Sequence, residues 1–212
     1  MNTLEELFEQ SSLEAEYFRG YCDYVQKLIS KIDVRSVKKV AECFLEARER
    51  DKCIYFSGNG GSAATASHFC QDMSEIGRKI QSKGFKTQSL NDNTSSLTAV
   101  SNDYGYEHVF SFQIQQIFNP TDVLVVISAS GNSPNVVKAA ELAREKGGST
   151  IGLVGFDGGR LAQICDYVIH IRSKKGEYGP VEDAHLVLNH MIVSYLTMKL
   201  KKLLKVFSSS VG

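Results

Sequence analysis

Apolar positions in the first fifty residues recur at steps of three and four: Leu4, Leu7 and Phe8, then Tyr17, Tyr21, Val25 and Leu28. That spacing predicts helix, with a break near Ile32-Asp33, after which Val37, Val40, Ala41 and Phe44 resume the period in a second helix. Beyond residue 50 the pattern changes. Apolar or β-prone runs at 53–57, 86–90, 122–127, 150–155 and 167–171 predict strands, and helical stretches near 62–76, 93–101, 107–118, 134–146 and 158–164 separate them. A last helix is predicted from about Val181 to Leu204, with Leu188, Met191, Ile192, Tyr195, Leu196 and Leu200 on a broad apolar face. Strands alternating with helices argue for an α/β fold with a parallel sheet covered on both faces. No linker, repeat or low-complexity block intervenes. The chain reads as one domain over 1–212, with oligomerisation helices at 1–50, an α/β core at 51–205 and a flexible tail at 206–212. The terminal helices carry more apolar surface than a monomer needs, which predicts a helical partner in another subunit.

Charge narrows the function classes. Lys plus Arg equals Asp plus Glu at 24 each, so no global field draws nucleic acid or an anionic membrane. The five cysteines are scattered without Cys-x-x-Cys spacing and read as reduced thiols. The acidic N-terminus is no signal peptide, and no apolar run reaches the ~18 residues that cross a bilayer. A cytoplasmic protein is expected, with no nucleic-acid and no membrane partner.

Candidate chemistry sits in two loops. Phe56-Ser57-Gly58-Asn59-Gly60-Gly61-Ser62-Ala63-Ala64 follows the first predicted strand, and Ser128-Ala129-Ser130-Gly131-Asn132-Ser133 follows the third; each precedes a predicted helix. A strand, a turn of small polar residues and a helix N-terminus form an anion site, because free N–H groups and the helix dipole both favour negative charge. Pro134 suits the first turn of the second of these helices. Gly58-Asn59-Gly60-Gly61-Ser62-Ala63 also fits a loose dinucleotide pattern, but the acidic residue expected about 20 positions on is missing; Asp92 lies too far along. There is no Gly-Lys-Ser/Thr, which excludes a P-loop. The expected ligand is a phosphate ester of a small molecule, with Ser62, Ser128, Ser130 and Ser133 as hydroxyl donors.

His68 and Asp72 lie four apart on the helix that opens from the first loop, and so share one face. The last helix offers Glu182, Asp183, His185 and His190. Imidazole and carboxylate side chains so placed can serve as general acid and base. Asp183, seven positions from His190, is better aligned with it on a regular helix than Glu182 at eight. His185 is expected at a polar surface or interface, and His108 and His170 in structural roles. Lys79 to Lys86 reads as a mobile loop lying over the site.

These motifs, with Ser101-Asn102-Asp103-Tyr104-Gly105, Ala143-Arg144-Glu145-Lys146-Gly147 and Asp157-Gly158-Gly159, resemble the sugar isomerase (SIS) domain family. Within it the chain is most similar to the phosphoheptose isomerases, which convert sedoheptulose 7-phosphate to D-glycero-D-manno-heptose 7-phosphate. The resemblance implies a three-layer, flavodoxin-like fold with five parallel strands, and a homotetramer with active sites between subunits. It implies substrate contacts at Asn59, Gly60, Gly61, Asn102 and Asp103, and phosphate contacts at Ser128, Ala129, Ser130 and Ser133; Ala129 stands where the family usually has Thr. It further implies a Zn2+ site at His68, Asp72, Glu182 and His190, with Asp72 or Glu182 and His190 as the proton-transfer pair. Here Asp72 replaces the family's Glu, and Glu182 its Gln. The base is left open between Asp72, Glu182 and Asp183. The implied setting is heptose synthesis for lipopolysaccharide, capsule or other surface glycans. Other readings are an isomerase for another phosphosugar, an SIS adaptor that binds a replication-initiator protein, and a phosphosugar sensor. His190 argues against the adaptor, whose branch tends to lack it.

Overall fold

The computed structural model describes residues 1–209. Three helices open the chain: α1 (Thr3–Gln10), α2 (Glu14–Ser30) and α3 (Val34–Glu49). One more is present than the periodicity predicts, because the chain turns at Ser11, whose hydroxyl bonds back to the Leu7 carbonyl. Asn2 and Glu5 close a reciprocal cap on α1, and the Asp33 side chain caps α3. Then follow β1 (Cys53–Gly58), α4 (Gly61–Ser74), α5 (Ile76–Ile80), β2 (Lys86–Ser89), α6 (Thr94–Tyr104), α7 (Ser111–Ile117), β3 (Val123–Ser128), α8 (Pro134–Glu145), β4 (Ser149–Val154), α9 (Leu161–Ile164), β5 (Tyr167–His170) and α10 (Tyr178–Ser209). All five predicted strands are present. The last helix is longer than predicted at both ends, so the expected tail is helical to Ser209; the end of that tail, 210–212, lies outside the described residues.

The strands form one parallel sheet in the order β2-β1-β3-β4-β5. Central β3 is buried at every residue. One sheet face packs Ile54, Phe56, Val125 and Ile151 against α3, α4 and α10; the other packs Tyr55, Leu124 and Val126 against α6 to α9. The expected three-layer arrangement follows directly. Strand order reverses between β1 and β3, and a crevice opens at the carboxyl ends of strands at such a point. The two Gly/Ser loops leave the sheet there. Among the described residues no helix is long and apolar enough to cross a membrane.

Candidate functional site

Gly60 precedes α4 with φ +53°, a conformation open mainly to glycine, and the first amides of α4 carry no side-chain cap. Gly61 takes the side-chain carboxylate of Glu182 so closely that a Cβ there would displace it. Ser62 is buried. In the second loop, the Ser128 and Ser130 hydroxyls lie 3.4 Å apart and accept from the Gly131 and Asn132 amides at 3.2 Å each. Ser133 occupies the N-cap of α8 without capping it, so its hydroxyl is not committed to the helix. Ala129 is buried, and its carbonyl accepts from Gly155 N–H at 3.0 Å.

An amide pair joins the loops. Asn59 Nδ2 donates to Asn135 Oδ1 at 2.9 Å, Asn135 Nδ2 donates back at 2.8 Å, and the Tyr106 hydroxyl donates to Asn59 Oδ1 at 2.9 Å. The Asn59 side chain is thus a strut between the loops. Asn91 clamps the Gly58 peptide from the side, accepting from its N–H at 3.1 Å and donating to its C=O at 2.8 Å. Asn91 and Tyr106 escaped the sequence reading, and Asn135 reads there only as a residue suited to the first turn of its helix. The visible signal was an Asn just after Pro134, at a helix position that faces the core. Asn102 and Asp103 are exposed at the end of α6, the Asn102 amide donating to Asp103 at 2.8 Å.

His68, Asp72 and His190 converge. Asp72 Oδ2 lies 3.4 Å from His68 Nε2 and 3.9 Å from His190 Nε2, and the two imidazoles meet edge to face with centroids 5.1 Å apart. One donor atom from each lies within 4.8 Å of those of the other two. Two imidazoles and a carboxylate so disposed fit a divalent ion that takes nitrogen and oxygen ligands. They open on a cleft of about 380 Å³ between α4, α5 and α10, also lined by Lys79 and Ser194. Lys79 opens the stretch expected to lie over the site.

Four expectations are corrected. Glu182 is not drawn into the His68–Asp72–His190 group: it lies two turns nearer the start of α10, against Gly61, where burial and then the Asp183 charge raise its carboxyl pKa. Asp183 faces α2, accepting from the Tyr21 hydroxyl at 2.6 Å, so its alignment with His190 along the helix does not bring it to the same place. His185 is wholly buried rather than at a surface, and neither ring nitrogen has a hydrogen-bond partner among the described residues. The Lys79–Lys86 stretch is no mobile lid. It begins inside α5, Phe85 is buried, and the Arg48 guanidinium donates twice to the Lys83 carbonyl, at 3.0 and 2.8 Å. His170 is structural as expected, its Nε2 lying 3.0 Å from the Phe156 carbonyl. His108 lies 3.1 Å from Lys138 Nζ, away from the triad.

Residues 20–155 match the model of the SIS domain. The chain is 44% identical over 140 residues to the phosphoheptose isomerase of Rhodospirillum rubrum, covering 66% of this chain and 72% of that one. It is 36% identical over 190 residues to the phosphoheptose isomerase of Nitratidesulfovibrio vulgaris, covering 89% and 84%. The solved phosphoheptose isomerase of Neisseria gonorrhoeae superposes with a TM-score of 0.76 at 34% identity, over 86% of this chain and 95% of that one.

Proposed function

This chain belongs to the SIS-domain phosphoheptose isomerases, which are aldose–ketose isomerases, and we propose that it moves the proton between C1 and C2 of sedoheptulose 7-phosphate through Asp72 and His190. The convergence of His68, Asp72 and His190 on one cleft carries this reading. The Asp72 carboxylate takes a proton from C1 of the ketose, and the electron pair forms the C1–C2 double bond of an enediol as O2 gains a proton from His190. His190 then takes the O1 proton, and Asp72 returns its proton to C2, giving the aldose. The balance is a net shift of two hydrogens within the sugar, with no external oxidant. His68, Asp72 and His190 would hold a divalent ion, zinc first among them, which when bound would polarise the sugar oxygens. Glu182, near the start of α10 with its carboxylate against Gly61, lies beside the phosphate end of the sugar in this reading.

The phosphate lies at Gly60, Gly61, Ser62, Ser128, Ser130 and Ser133, and the carbonyl end at Asp72, with Asn102 and Asp103 contacting the sugar. Apolar residues left exposed on the terminal helices, Phe8, Phe18, Met191, Tyr195 and Met198, favour a homotetramer with shared active sites. Five free cysteines favour a reducing, cytoplasmic setting.

The test is a product assay on sedoheptulose 7-phosphate beside a panel of pentulose and hexulose phosphates, with and without a chelator. Heptose 7-phosphate should form fastest, and the chelator should suppress it. Faster turnover of a shorter ketose phosphate would overturn the choice of sugar, and turnover indifferent to chelator would overturn the metal.

A further inference from the structure

Asn189 lies on the core-facing side of α10, where Ala184, Leu188, Ile192 and Leu196 are all buried. It is itself wholly buried. Its Nδ2 donates to Oδ2 of Asp72 across the α4–α10 groove at 3.2 Å, while its Oδ1 is enclosed with no hydrogen-bond partner among the described residues. A leucine at this position would fill similar space without leaving a polar atom unmet, so packing alone disfavours the amide. A buried polar group that is only half satisfied calls for another reason.

The acceptor supplies one. Oδ2 is the carboxylate atom that stands between His68 and His190. Asp72 is about one quarter exposed and lines the cleft, so burial alone does not fix its carboxylate. A donor fixed in the core selects one of its orientations. We propose that Asn189 is a positioning residue of this site, holding the short Asp72 side chain by Oδ2 so that the carboxylate is presented to both imidazoles. The proposal rests on the role given above to Asp72. Partners that orient a ligating or reacting group in this way typically contribute 10- to 100-fold in metal affinity or turnover.

The test is Asn189→Leu, made alone and in an Asp72→Asn background, and followed by three readouts: thermal melting, zinc affinity by competition with a chromophoric chelator, and kcat and KM on sedoheptulose 7-phosphate. Asn189→Leu should keep or raise the melting temperature, weaken zinc binding 10- to 100-fold and lower kcat by a similar factor, with KM within about threefold. Added to Asp72→Asn it should cost nothing further, because the acceptor has gone. Losses that add in the double variant, or a lower melting temperature with zinc affinity and kcat kept, would overturn the proposal. A wild-type protein that binds zinc but leaves the sugar unchanged overturns the reading of the substrate; the zinc-affinity ratio still decides the role of Asn189. A wild type that does neither removes both.

Discussion

Asp72 and His190 line an open cleft rather than the core, with side chains 23% and 55% exposed, so their polar replacements should leave the fold intact. Asp72→Asn keeps the shape and removes the base; His190→Gln keeps a hydrogen-bonding group and removes the acid. Each should lower kcat by about 100-fold or more, since general acid–base groups contribute 10²–10⁴. Steady-state kinetics beside circular dichroism separates this from misfolding: near-normal turnover in both variants would remove the acid–base assignment. Ser130 works differently. In the proposed site its hydroxyl meets a phosphate that does not change during reaction, so Ser130→Ala should raise KM more than it lowers kcat. A pure kcat effect would place Ser130 at the reacting carbons instead.

Among the elements, α10 carries the largest share of the site, and its first turn is tied down by Glu177. This buried carboxylate accepts from Thr3 N–H at 2.7 Å, Lys174 N–H at 2.9 Å and the Tyr24 hydroxyl. Burial raises its pKa, but the hydrogen bonds together outweigh that and hold it below the usual carboxylate value. Its stabilisation is therefore complete above the unfolded glutamate pKa and fades as pH falls through the lower folded value. Glu177→Ala, leaving buried donors unpaired, should cost about 2–4 kcal/mol in denaturant unfolding; a loss under 1 kcal/mol would show that α1 and α2 are held otherwise.

The elements were readable where burial is one-sided or complete. The apolar runs of β1, β3 and β4 announce themselves because both faces of the sheet are covered, and the Gly/Ser loops because few other residues tolerate such turns. His68 and Asp72 were legible from a spacing of four on one helix. Less legible was whatever depended on which neighbour a helix meets. Asp183 and His190 share a side of α10, but Tyr21 claims the first and α4 the second. His185 and Asn189 look like surface polar residues until the helix is seen to bury them. The Lys-rich 79–86 stretch looks mobile until Arg48, far away in sequence, binds its carbonyl.

For the molecule as a whole, His185 sets a pH dependence. Burial lowers its pKa to about 4, whereas an unfolded histidine titrates near 6.5. The unfolded chain thus binds a proton that the folded chain refuses. Stability from this residue is whole above pH 6.5 and falls as pH drops toward 4, by about 3 kcal/mol in all. His185→Leu should flatten unfolding free energy between these pH values; an unchanged slope would mean that other groups set it. Light scattering should give about four times the 23.4 kDa chain mass, and a fully active monomer would rule out shared sites.

The account turns on one claim, that a proton passes between C1 and C2 of a heptose 7-phosphate at Asp72 and His190. Proton NMR of sedoheptulose 7-phosphate turned over in D₂O tests it most directly. The wild-type protein should produce aldoheptose 7-phosphate carrying deuterium at C2, because the proton held on Asp72 exchanges with D₂O before it returns to C2, and Asp72→Asn should slow formation of this labelled product by about 100-fold or more. An unchanged ketose with wild-type protein, or labelled aldose formed at the wild-type rate by Asp72→Asn, would contradict it.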